Sequence, residues 1–157
     1  MDETTKAVIE RITRSYPTPQ PIPSGHEACI FYDCARLTPN ELARLAAEAV
    51  GHLHEDAFDV ALGIAYQGIL FAAALAGGRE VAILQADGKI SGSDLKGKKV
   101  IVVDDVVLSG KRVLDAEKKA AACGAVVVGY ACIIDRSDGA FGSMEKPLWS
   151  AYQTNML

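Results

Sequence analysis

Apolar positions fall at helical spacing from residue 4 to 15, with Ala7, Val8 and Ile12 on one face; Pro17, Pro19, Pro21 and Pro23 then bar a helix and impose an extended segment. Cys29 to Tyr32 reads as a short strand. Thr38-Pro39-Asn40-Glu41 opens a helix that runs to about Gly51, with Thr38 as N-cap, Pro39 at the first helical position and Glu41 reaching back. Phe58 to Leu62 is a mostly apolar strand. It feeds the loop Gly63-Ile64-Ala65-Tyr66-Gln67-Gly68 and a helix from Ile69 to Ala76, closed by Gly77-Gly78. Glu80 to Leu84 is the next strand, residues 85 to 97 a polar loop, and Lys99 to Val103 a strand apolar on both faces. Val113 to Cys123 fits a helix ended by Gly124, and Ala125 to Ile134 another buried strand. Trp149, with Leu148 and Tyr152, packs a C-terminal strand onto the body.

Strands alternating with helices across short connections predict an α/β fold with a central parallel sheet covered by helices on both faces. The pattern places the core at residues 57 to 136, with 1 to 56 and 137 to 157 as flanking segments of a single domain. At 157 residues the chain can bury roughly two-thirds of the surface its unfolded form exposes.

Charge and cysteine usage narrow the classes of function. The net charge is −4 and the basic residues are scattered, which argues against nucleic acid as a partner. The apolar runs are too short to cross a bilayer, and Asp2 and Glu3 at the start do not resemble a secretory leader. A cytoplasmic protein without a membrane partner is expected. Cys29, Cys34, Cys123 and Cys132 form no CxxC pair and read as buried apolar residues. His52 and His54 follow a helix and read as a solvent-facing helix end, so no protein-built metal site is expected.

Ligands of an open parallel sheet collect at the carboxyl ends of its strands. After Val103 come Asp104 and Asp105, whose carboxylates can bond neighbouring ribose hydroxyls and stabilise cationic character at the sugar. Leu108-Ser109-Gly110-Lys111-Arg112 then leads into a helix, and a glycine turn there aims backbone N–H groups at a phosphate. Ser109 adds a hydroxyl; Lys111 or Arg112 can neutralise charge. The same spacing also fits a plain strand-to-helix turn in which the two aspartates cap N–H groups.

Val100 to Lys111 resembles the signature of the type I phosphoribosyltransferases: a hydrophobic strand, two acidic residues, two hydrophobic residues and a phosphate loop. The resemblance is closest to the orotate phosphoribosyltransferase branch, through Ser24-Gly25, Phe31-Tyr32-Asp33, Gly63 to Ile69, Gly92 to Gly97 and Ile133-Ile134-Asp135-Arg136. It implies a type I phosphoribosyltransferase fold with a small N-terminal hood, usually a homodimer, in which the helix from Thr38 to Gly51 is apolar enough to take part. The implied reaction joins phosphoribosyl diphosphate to a pyrimidine base such as orotate in nucleotide biosynthesis, with Mg²⁺ held mainly by substrate oxygens. Asp104 and Asp105 then hold the ribose. Val107, Leu108, Ser109, Gly110, Lys111 and Arg112 surround the 5′-phosphate, Tyr66, Gln67 and Gly68 face the pyrophosphate, and Arg136 pairs with a carboxylate.

The departures from that pattern fall on charge-compensating residues. A family lysine is Gln67, Pro23 and His26 flank Ser-Gly in place of Lys and Arg, and Leu108 replaces a hydroxyl residue. The long basic lid is shortened to residues 85 to 91, where Lys89 stands either as a catalytic remnant or as an exposed hairpin lysine. A second reading follows, of a paralogue that binds phosphoribosyl diphosphate or a nucleoside monophosphate as a sensor without turnover.

Overall fold

Strands apolar on both sides need cover on both sides, and the computed structural model, which describes residues 2–22 and 27–155, supplies it. In chain order the elements are α1 (Glu3–Ile12), β1 (Thr13–Pro21), β2 (Glu27–Tyr32), α2 (Pro39–Val50), β3 (Val60–Ile64), α3 (Gln67–Ala76) and β4 (Glu80–Leu84). There follow β5 (Ile90–Gly92), β6 (Lys99–Val103), β7 (Val106–Val107), α4 (Lys111–Ala122), β8 (Val126–Asp135) and β9 (Leu148–Gln153).

The main sheet has seven strands. β3 lies between β4 and β6, β6 pairs β8, and β7 and β9 also pair β8; these contacts are all parallel, and β5 adds antiparallel to β4. Alternate residues divide the core. Ile101, Val103, Ala131 and Ile133 join the layer built with α1, α2 and α3, whereas Val100, Val102, Tyr130 and Cys132 join the layer under α4. The segments before residue 57 and after 136 enter this core, α1 through Val8, Ile9 and Ile12, and β9 as a sheet strand. None of the described helices is long and apolar enough to cross a membrane.

α2 starts as its sequence predicts. Thr38 Oγ1 accepts the Glu41 N–H at 3.2 Å and the Glu41 carboxylate accepts the Thr38 N–H at 2.8 Å. Its apolar face, offered by the sequence to a dimer, is taken up inside the chain: Leu42, Leu45, Ala46, Ala49 and Val50 are buried.

Several boundaries differ from the sequence reading. Pro17, Pro19 and Pro21 lie in a strand, β1, paired antiparallel with β2, and the ladder skips from Ser15 to Gln20 across Pro17 and Pro19, which have no N–H to donate. Part of the expected polar loop at 85 to 97 is β5, for which β4 supplies the ladder. Helix α4 opens at Lys111, two residues earlier than expected, so Lys111 and Arg112 stand in its first turn. Cys34 and Cys132 are buried as expected, while Cys29 is half-buried and Cys123 is exposed at the end of α4.

Candidate functional site

The acidic pair interrupts a strand without breaking its register. Val103 lies opposite Ala131 and Val106 opposite Ile134, so β6 and β7 run along the same side of β8 at one offset with Asp104 and Asp105 between them. The backbone of the pair remains bonded throughout: Asp104 N–H donates to the Ala131 carbonyl at 3.0 Å, and Ile133 and Ile134 N–H groups reach the Asp105 carbonyl at 2.9 and 3.1 Å. The side chains differ. Asp104 is 1% exposed and Asp105 half-buried. Asp104 Oδ1 accepts the Asp105 N–H at 2.9 Å and Asp105 Oδ1 accepts the Val106 N–H at 2.8 Å. The capping role is therefore real, but a carboxylate accepts about four bonds and one N–H leaves capacity for sugar hydroxyls. Burial and then the neighbouring Asp105 charge push the Asp104 carboxyl well above the usual carboxylate range, with the Arg112 guanidinium opposing.

Beyond the pair the chain turns into α4 through Gly110, at φ +83°. A Cβ there would stand 2.7 Å from the ring of Phe141, so both conformation and space demand glycine. Phe141 is fixed in turn by an edge-on contact with Tyr130, at 5.4 Å between ring centres, and Tyr130 Oη donates to Glu117 at 2.6 Å. No side chain of Gly110 caps the helix, and Ser109 Oγ accepts the Lys111 N–H at 3.3 Å. Lys111 is exposed.

The Gly63–Gly68 loop abuts the same strand end. A Cβ on Gly68 would lie 2.8 Å from the Val103 carbonyl oxygen and 3.1 Å from Asp104 Cα, so absence of a side chain sets the approach. The Ala65 N–H donates to the Leu84 carbonyl at 2.9 Å, and the Ala65–Tyr66 peptide is cis. Arg112 crosses between the two regions: Nη2 donates to the Ala65 carbonyl at 2.9 Å and Nε lies 3.4 Å from Asp104 Oδ2. Tyr66 is 75% exposed and Gln67 half-buried.

A cavity of about 450 Å³ opens over these elements. Its floor runs from Asp104 to Val113 and so includes Asp105, Val107, Leu108, Ser109, Gly110, Lys111 and Arg112. Ile22, Phe31 and Tyr32 of the β1–β2 hairpin form a hood, and Arg136 and Asp115 complete the wall. Arg136 is 5% exposed, its guanidinium 5.4 Å from the centre of the Tyr32 ring, and its N–H donates to the Val107 carbonyl at 2.7 Å. Burial lowers the Arg136 pKa, with Tyr32 opposing.

The structure thus brings Asp104, Asp105, Val107 to Arg112 and Arg136 into one cavity and sets Tyr66, Gln67 and Gly68 beside it, outside its lining. Lys89 is not brought in. It is exposed on the tight β4–β5 hairpin, where Gln85 N–H donates to the Lys89 carbonyl at 2.8 Å and Asp87 accepts the Lys89 N–H at 3.0 Å. Pro23, Ser24, Gly25 and His26 lie outside the described residues. Tyr32, Asp115 and Phe141 join the site only through the fold: Tyr32, from the Phe31-Tyr32-Asp33 stretch, and Asp115 line the cavity, and Phe141 packs beside Gly110. Among the described residues no group of three or more His, Cys, Asp or Glu side chains is placed to hold a metal ion.

No known family profile matches the chain. Among curated proteins it is 31% identical over 132 residues to the orotate phosphoribosyltransferase of Sulfolobus acidocaldarius, covering 78% of this chain and 67% of that one. It is 33% identical over 138 residues to the orotate phosphoribosyltransferase of Streptomyces avermitilis, covering 78% and 76%. Among solved structures, the orotate phosphoribosyltransferase of Aeropyrum pernix superposes with a TM-score of 0.77 at 22% identity over 96% of this chain and 93% of that one. The Mycobacterium tuberculosis enzyme in complex with 5-phospho-α-D-ribosyl 1-diphosphate gives 0.74 at 22% identity over 96% and 94%.

Proposed function

The chain belongs to the orotate phosphoribosyltransferase family, and from that premise we propose that it joins orotate to phosphoribosyl diphosphate in pyrimidine nucleotide synthesis. The observation that carries this reading is the single register shared by the acidic pair and Arg136. It sets two carboxylates, a glycine turn and a guanidinium close together at neighbouring strand ends, which supports ribose, phosphate and base sites there.

In the reaction a base nitrogen forms a bond to the anomeric carbon as the bond from that carbon to pyrophosphate breaks, and the pyrophosphate leaves with the electron pair. Positive charge develops on the sugar, so fixed negative groups beneath it lower the barrier. Asp105, half-buried and lining the cavity, accepts from the ribose hydroxyls, with Asp104 behind it. The turn at Ser109 and Gly110 and the uncapped start of α4 receive the 5′-phosphate, and Lys111 supplies the opposing charge. Arg136 suits the carboxylate of orotate, because a guanidinium offers two parallel donors. Mg²⁺ held mainly by the diphosphate oxygens would supply charge neutralisation, and Asp105 would be the protein carboxylate to share it. A homodimer of this chain uses a surface other than the face of α2 buried within it.

The test is an assay with orotate, phosphoribosyl diphosphate and Mg²⁺, following orotate absorbance and pyrophosphate release. Turnover is expected, and Asp105→Asn lowers kcat by about a hundred- to a thousand-fold. Folded protein that releases no pyrophosphate with orotate or any common base overturns the proposal.

A further inference from the structure

Lys111 and Arg112 are consecutive in the first turn of α4, about 100° apart round the axis, so the two side chains cannot serve one location. Lys111 is exposed at the phosphate turn. Arg112 points elsewhere, with Nη2 on the Ala65 carbonyl at 2.9 Å and Nε 3.4 Å from Asp104 Oδ2. These acceptors follow different strands, β3 and β6, and besides Arg112 the loop is held to the strand ends by the Gly68 approach to Val103 and Asp104 and by the Ala65 N–H on Leu84.

We propose that Arg112 is a positioning residue, a surface cation with a 52% exposed side chain that ties the 63–68 loop to the acidic pair and sets the loop's distance from the sugar, in place of binding phosphate. Its kinetic consequences rest on the transfer reaction proposed above. The role calls for arginine, because a planar fork presents Nε and Nη2 to two acceptors at once and an ammonium on a flexible stem does not. The charges around Asp104 agree with it: Arg112 faces it from α4, Asp105 from its own strand, and the thiols of Cys132 on β8 and Cys34 on the turn after β2 lie nearby.

Arg112→Gln and Arg112→Lys separate the possibilities, through amide hydrogen exchange of the free protein and kinetics with orotate. Arg112→Gln is expected to speed exchange in a peptide spanning 63–70 by about tenfold, as losing a charge-assisted bond implies, while peptides from α2 and β9 stay unchanged. It is also expected to lower kcat more than it raises KM for phosphoribosyl diphosphate. Arg112→Lys is expected to leave the loop exchanging fast, because an ammonium does not bridge the two acceptors. Unchanged loop exchange in Arg112→Gln, with a raised KM for phosphoribosyl diphosphate at constant kcat, marks Arg112 as a phosphate ligand and overturns the proposal. Exchange needs no turnover, so faster loop exchange in a protein whose wild type proves inactive supports the tether while refuting the transfer function.

Discussion

Two stretches border the carboxyl ends of the parallel strands, and they are built on opposite principles. From Val103 to Lys111 every turn of the chain is fixed from outside: β8 holds the backbone of Asp104 and Asp105, Phe141 fills the space beside Gly110, and Gly68 presses on the strand end. From Gln85 to Gly92 the chain is a tight hairpin bonded within itself and to β4, with exposed side chains at its tip. The first stretch spends packing to place charges that would otherwise repel. The second is economical in packing and contributes no lining residue to the cavity. Chemistry that depends on geometry thus sits where neighbours over-determine it, and length changes have room where they do not.

Gly110→Ala is the most severe way to break that contrast. A Cβ in the left-handed region costs about 1–2 kcal/mol, and the collision with Phe141 adds overpacking of similar size. The melting temperature is expected to fall by roughly 6–12 °C, read by calorimetry. A fall under about 2 °C would mean that the turn is not locked.

Asp104→Asn probes the charge that this packing confines. Asn keeps the oxygen that accepts the Asp105 N–H and removes a carboxylate whose ionisation burial opposes. The sign follows from the raised folded pKa. Protonation of Asp104 contributes stability that is fully present below the unfolded carboxylate value and is lost as pH rises through the folded one. The variant should therefore melt about 2–4 °C above the wild type at pH 9, with the gap closing toward pH 4. Thermal scans across that range check it; a wild type that stays more stable at pH 9 would contradict the opposition to ionisation.

Lys89→Ala is the smallest expected effect and tests the other stretch. With its side chain exposed outside the cavity lining, turnover should change by less than about twofold, near the scatter of surface substitutions. A loss of tenfold or more in kcat would show that the hairpin reaches the site during the reaction, and would erase the contrast.

Much of the fold was legible because both faces of the central strands are apolar. Glu80–Leu84 and Lys99–Val103 were bounded correctly from runs of Val, Ile and Ala, and Thr38 with Glu41 announced α2. β5 was missed because Ile90-Ser91-Gly92 carries one apolar residue and owes its strand to β4. The site was legible where local chemistry decides, at Asp104, Asp105 and Gly110. It was not legible where a distant partner decides: nothing near Arg112 in sequence says that Ala65 will offer a carbonyl, and nothing near Gly110 points to Phe141.

The unbroken register across the acidic pair carries a consequence for how such a protein can diversify. Since the Arg136 N–H bonds the Val107 carbonyl and Val106 faces Ile134, the spacing between the acidic pair and Arg136 is counted in residues along two strands. On the reading proposed above, exchanging a side chain at the end of β8 changes the contact with the base while the count is preserved. Inserting or deleting one residue between 104 and 107 flips the side chains of β7 to the opposite face and moves the glycine turn relative to the acidic pair. Evolution at this site is therefore free in spelling but fixed in metre.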